Sequence, residues 1–146
     1  ESIFTAALGV DHLNGPSISN INQAIALDKR FTLQLSASLS IDESLSHEPH
    51  FTFINQGPFI QLVPGYKLSL GLDNLESDFA ISLGLATRVV NSINGILMDA
   101  AIINIGLSGR NWNMNFNFDL TTSDIKNFAN GNGAIELTLG YMILKK

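Results

Sequence analysis

Arg88, Asp119 and Glu136 are the charged residues of this chain best placed to act together. Each falls on the polar side of a segment in which apolar and polar residues alternate. Arg88 follows Ala80, Ser82, Gly84 and Ala86; Asp119 follows Asn113, Asn115 and Asn117; Glu136 stands with Ala134, Thr138 and Gly140. A guanidinium and two carboxylates on one face can form an ion-paired lattice that fills an interior, because buried charges need partners. The same network could instead hold a plug or a partner segment through charge-assisted hydrogen bonds. A second group, Asp42, Glu43 and Glu48 near His47 and His50, offers oxygen and imidazole donors that could take a cation. With His47 and His50 flanking Pro49, it reads as a solvated acidic turn, and His12 adds no metal-ligand spacing. There is no G-x-S-x-G, and no Ser, His and acid fall in a suggestive order. Gly131 to Gly133 is followed by neither Lys-Ser/Thr nor a predicted helix, so it is not a phosphate loop. The expectation is a non-enzyme with no catalytic, cofactor or metal site and no small-molecule substrate.

The elements that must position these charges announce themselves by period. Phe31, Leu33, Leu35, Ala37, Leu39 and Ile41 alternate with Thr32, Gln34, Ser36, Ser38 and Ser40. Trp112, Met114, Phe116, Phe118 and Leu120 alternate with Asn113, Asn115, Asn117 and Asp119. Side chains of a strand point alternately to the two faces of its sheet, so each stretch has one apolar and one polar face. A soluble strand usually runs about five or six residues, whereas a strand crossing a bilayer at a tilt needs about nine to eleven. These two stretches have the second length, and they predict an all-β fold: an antiparallel transmembrane β-barrel with lipid outside and a polar lumen.

Composition agrees. Hydrophobic residues make up 45% of the 146-residue chain and charged ones only 14%, against about 25% in ordinary soluble domains. Asn, Ser, Thr, Gln and Gly stand where charges would otherwise be, able to line a lumen or form turns without burying ions. The net charge of −5 and the scattered Lys and Arg exclude a nucleic-acid surface. Cysteine is absent, which excludes disulfides and thiolate chemistry. No apolar run reaches the eighteen or so residues of a transmembrane helix.

About eight strands are predicted, near 2–12, 30–42, 49–56, 58–72, 78–91, 95–108, 111–121 and 132–144. They are separated by turn chemistry at Asn14-Gly15-Pro16, Gln56-Gly57-Pro58, Asp73-Asn74, Asn94-Gly95, Gly109-Arg110-Asn111 and Asn130-Gly131-Asn132-Gly133. The segment 122–130 could hold a helical turn capped by Ser123. Strand 95–108 is apolar on both faces near its middle, and Pro64 predicts a bulge or a weak end in the fourth strand. The long gaps, before Lys29 and around Lys126, fall on one rim and the short gaps at 73–77 and 109–110 on the other, the loop asymmetry of an outer-membrane barrel. Trp112, Tyr66 and Tyr141 are candidate belt aromatics. A porin-like channel, and a soluble lipocalin-like or sandwich domain with its apolar faces turned inward, are the alternative readings. The scarcity of Lys and Glu on the polar faces speaks against the soluble one.

Several segments resemble the PorP/SprF family of outer-membrane proteins, which serve the type IX secretion and gliding systems of Bacteroidota. They are Leu83-Gly84-Leu85-Ala86-Thr87-Arg88, the run Asp99-Ala100-Ala101-Ile102-Ile103 leading to Gly106-Leu107, Asn117-Phe118-Asp119-Leu120-Thr121-Thr122-Ser123, and Gly133-Ala134-Ile135-Glu136-Leu137-Thr138-Leu139-Gly140-Tyr141. Leu8 to Pro16 is similar to a strand-end pattern of the same family. The resemblance implies a component of the bacterial cell outer membrane that helps export secreted adhesin-like proteins or anchor them at the surface, supports protein secretion and gliding motility, and works with periplasmic lipoproteins. Family members are longer and have more strands. The expectation is therefore that residues 1–146 form a single outer-membrane barrel domain, the C-terminal portion of a longer chain and part of a larger barrel. The chain ends in Leu144-Lys145-Lys146, where many outer-membrane strands end on an aromatic; the nearest aromatic is Tyr141. Small side chains on the polar faces of 30–42 and 78–91 leave interior space. With the resemblance, they predict that the first and last strands do not pair with each other.

Overall fold

In the computed structural model the described residues are 2–20, 23–72, 79–92, 95–122 and 133–143, and among them every regular element is a strand. In chain order these are β1 (Ser2–Asp11), β2 (Ser17–Asn20), β3 (Gln23–Ala26), β4 (Arg30–Ser40), β5 (Leu45–Gln56), β6 (Phe59–Gly71), β7 (Ala80–Ser92), β8 (Gly95–Gly109), β9 (Trp112–Thr121) and β10 (Ile135–Tyr141). Eight of them form one antiparallel sheet in the order β1-β4-β5-β6-β7-β8-β9-β10, and β2 pairs only with β3. The small β2–β3 hairpin falls in the gap that sequence leaves before Lys29. Segment 123–130, with its expected helical turn, and the turn residues Asp73, Asn74, Asn94 and 130–132 lie outside the described residues.

The sheet is a curled half-barrel whose edges, β1 and β10, share no ladder among the described residues. Its curl is visible in the register. One row runs from Leu39, beside Ser2 at the start of β1, through His47, Leu68, Leu83 and Ile105 to Phe116. On β9 the same row lies four residues beyond the first residue, Trp112. Neighbouring strands thus slide in one direction, and a staggered sheet must tilt its strands and curve toward closure.

The packing is inverted relative to a soluble protein. Among the described hydrophobic residues only Ala100 is fully buried, while Phe4 is 76% and Leu8 84% exposed. Most large apolar side chains of β4, β6, β7, β9 and β10 stand on the convex face, as the alternation predicts. Across the eight strands that face carries no Lys or Arg and no acid clear of the bulge at Asp99. The deeply covered residues Gly84, Ala100 and Gly106 are all small and lie on the concave face.

Two expectations need correction. His47, Glu48, Pro49 and His50 are not in a turn: β5 starts at Leu45 and carries them in its ladder with β6, leaving Asp42 and Glu43 in the turn. Alternation hides this, because proline interrupts the reading but not the strand. Pro64 does not bulge or end β6, which runs through it. Instead, pairing with β7 lapses at Val63 and Pro64, and pairing between β4 and β5 lapses beside Pro49. Proline has no N–H to donate, so each ladder loses its bonds on the side proline faces. The bulge itself lies on β8, where register shifts between Arg88 and Val89 and leaves Asp99 as the extra residue. The turn at Gly57-Pro58 joins Gln56 to Phe59 directly, with Gly57 at φ +56° as a type II′ hairpin needs in its first loop position.

Candidate functional site: the polar concave face

Tracing rows across the register collects the concave face. Thr5, Ser36, His50, Gly65, Ala86, Ile102 and Asp119 lie in one row; Glu48, Lys67, Gly84, Asn104, Asn117 and Glu136 lie in the next. All of these but Gly65 line a half-open cavity of about 590 Å³ to which all eight strands of the sheet contribute. Glycine makes room for larger neighbours. A Cβ at Gly65 would collide with the His50 imidazole, and one at Gly106 with Ser82 Oγ and the Asn115 amide.

Arg88 and Asp119 meet. Arg88 Nη1 donates to Asp119 Oδ2 at 2.8 Å, and Arg88 Nε donates to Asp99 Oδ2 at 2.8 Å. The bulge lets Asp99 reach the arginine, and hydroxyls brace it: Thr122 Oγ1 donates to the Met98 carbonyl at 2.9 Å and Thr87 Oγ1 to that of Ala100 at 3.2 Å. The three charged side chains are 15–27% exposed, so the network is partly desolvated and each carboxylate has a fixed partner. Glu136 lines the same cavity but sits one row away, opposite Asn117.

Sequence reasoning missed three parts of this face. Asp99 is hidden because the bulge shifts the phase of β8 by one residue. Beyond it Ile96 and Met98 point outward, while up to Ala100 even-numbered residues point inward, and the mixture reads as apolar on both faces. The pair Lys67 Nζ–Glu48 Oε2 at 3.1 Å is directly cross-strand, a partnership that the expected turn at Glu48 does not offer. Asn104 Nδ2 donates to Asn117 Oδ1 at 2.7 Å, again directly across the ladder. No group of three or more possible metal ligands occurs among the described residues.

The candidate belt aromatics divide. Trp112 and Tyr141 are register partners at one rim on the convex face, and Trp112 meets Phe79 edge-on with ring centroids 5.6 Å apart. Tyr66 lies midway along β6, its hydroxyl 2.8 Å from His47 Nδ1. At the same rim, the 41–44 turn is held by Asp42, whose carboxylate accepts from Ser44 N at 2.8 Å, Leu45 N at 2.7 Å and Ser44 Oγ at 3.1 Å. These bonds, the Ser44 amide first, hold the Asp42 carboxyl below its ordinary pKa.

A staggered antiparallel wall, apolar outward and polar inward, is the construction of a membrane-spanning β-barrel protein, since in lipid the backbone must satisfy itself and only the outer face meets hydrocarbon. The family described as the type IX secretion system membrane protein PorP/SprF matches residues 2–141. The chain belongs to that family, and with it to the membrane components of a type IX secretion system that act with other secretion proteins. No curated protein and no solved structure matches.

Proposed function

We propose that this chain is a non-enzymatic wall of a bacterial outer-membrane barrel, the C-terminal portion of a longer chain, which helps the type IX machinery export adhesin-like proteins or anchor them at the cell surface. Membrane lipid contacts the convex face; secreted adhesins and periplasmic lipoproteins are the partners. The single observation that carries this reading is the inversion of the sheet, with uncharged large side chains outward and an ion-paired, amide-lined concavity inward. Arg88, Asp99 and Asp119 serve there as a lattice that keeps the wall's inner surface polar and fixed in shape, and Glu136 adds a charge to the same face one row away. Cells lacking the full-length protein should retain their surface adhesins inside the cell or lose them to the medium, and the tagged protein should sediment with outer membrane and need detergent to disperse. Normal adhesin display without it, or a monodisperse detergent-free monomer, would contradict the proposal.

The polar concavity also suits a solute channel. Reconstitution of the full-length protein in planar bilayers separates the two readings: steady ion conductance favours a porin-like role, and a closed barrel favours the secretion role.

A further inference from the structure

We propose that the convex face carries a seat for one phospholipid, with an acyl chain in a groove between β1, β4 and β5 and the lipid's ester or phosphate oxygens at the His47–Tyr66 pair beside it. The inference rests on the reading of the convex face as the one that meets hydrocarbon.

The groove has a cause in the sequence. The ladder between β4 and β5 lapses at Ala37 and Ser38, where Pro49 stands on the partner strand. Ala37 is also the smallest side chain in its apolar row, between Leu35 and Leu39. Across β1 it meets Phe4, while Ala6 meets Leu35. The result is a depression of about 460 Å³ whose convex side is walled by Phe4, Ala6, Leu35, Ala37, Pro49 and Phe51. The intervening Thr5, Ser36 and His50 turn their side chains to the concave face. No wall side chain can hold a water molecule, so the groove stays dry. Left empty against hydrocarbon, its walls forfeit dispersion contacts that an acyl chain restores.

The polar pair at the border decides which part of a lipid comes there. Tyr66 is the register partner of Pro49, and His47 lies two residues before Pro49 on the same face. Among the described residues of the eight strands, His47 is the one imidazole on a face without Lys or Arg. The Tyr66 hydroxyl lies 2.8 Å from His47 Nδ1, with ring centroids 5.5 Å apart. One hydrogen serves that bond. If the phenol donates it, the neutral imidazole keeps its N–H at Nε2; if Nδ1 donates it, the phenol keeps its O–H. Either tautomer therefore leaves one donor, and the acceptors that a bilayer offers are phosphate and ester oxygens. The depth agrees. His47 is the third residue of β5, about 7 Å along the strand from its start, at the rim that carries Trp112 and Tyr141. Headgroups and ester groups lie in a layer of that thickness, and a chain running inward from it passes Ala37.

The test uses the full-length protein in its membrane, with a photo-crosslinking residue at Leu35 and mass spectrometry of the product. The expected adduct is a glycerophospholipid, several-fold more abundant than with the same residue at Leu83, which is convex but away from the groove. Ala37→Leu fills the groove, and His47→Phe with Tyr66→Phe removes the donors while keeping two rings. Each variant should keep the fast-migrating folded band on unheated gels, because apolar side chains suit that face, and should lower the Leu35 adduct to the Leu83 level. Equal adducts at Leu35 and Leu83, an excess unchanged in either variant, or capture of a second copy or another protein at Leu35 overturns this inference alone. Absence of lipid adducts at both positions overturns it together with the lipid-facing reading.

Discussion

Phe116 and Asn115 are neighbours on β9, yet one belongs to a face without charges and the other to a cavity lined by charges and amides. Their rows make the contrast plain: Phe116 lies with Ile105, Leu83 and Leu68, Asn115 with Gly106, Ser82 and Ser69. The two faces are stabilised by different physics. The convex one needs only to be apolar and to match hydrocarbon, so its side chains are interchangeable within that class. The concave one depends on specific partners at specific register positions, so identity matters residue by residue.

The sharpest way to break this comparison is to move a charge between faces. Phe116→Arg should cost about 2–4 kcal/mol if the site lies near the bilayer midplane. Asn115→Asp should cost far less, because the cavity can hydrate it. Refolding titrations into lipid vesicles would measure both, and equal effects would show the faces to be wrongly assigned. Next in size is the lattice itself. Arg88→Met leaves Asp99 and Asp119 facing each other without their shared cation and should cost about 1–3 kcal/mol. Adding Asp99→Asn and Asp119→Asn should recover much of that loss in the same titration; no recovery would mean that arginine packing, not charge, matters. Lys67→Met should cost at most about 1 kcal/mol, since its pair with Glu48 is more open to water.

The smallest effect lies at the rim. The Asp42 carboxyl is held below its ordinary value, so its contribution to the turn is complete above the unfolded-state pKa, about 3.9, and is lost as pH falls through the lower folded value. Amide exchange at Ser44 and Leu45, corrected for intrinsic rates, should therefore speed up only below about pH 4, and Asp42→Asn should abolish the step.

The large features of this fold were legible because alternation over ten or more residues has few other meanings. The eight long strands follow from it, and so do the faces of β4, β6, β7, β9 and β10; the face of β8 does not, and β5 begins four residues before its expected start. What escaped did so for local reasons. Ser17–Asn20 and Gln23–Ala26 are too short to show a period. Pro49 and Pro64 look like breaks, but a strand loses only the bonds on one side of a proline. Asp99 sits where one extra residue reverses the alternation, so the element that brings it to Arg88 also conceals it. Arg88 and Asp119 could be placed on one face from sequence; their contact needed the register of three strands.

Those two prolines have a mechanical consequence. β5 and β6 are joined by an unbroken ladder from Leu45↔Leu70 to Gln56↔Phe59, yet the ladders on either side are each interrupted beside a proline. A sheet under lateral load tears where stitches are missing, as paper tears along a perforation. Spreading this wall should thus part it between β4 and β5 or between β6 and β7, and leave the β5–β6 hairpin whole.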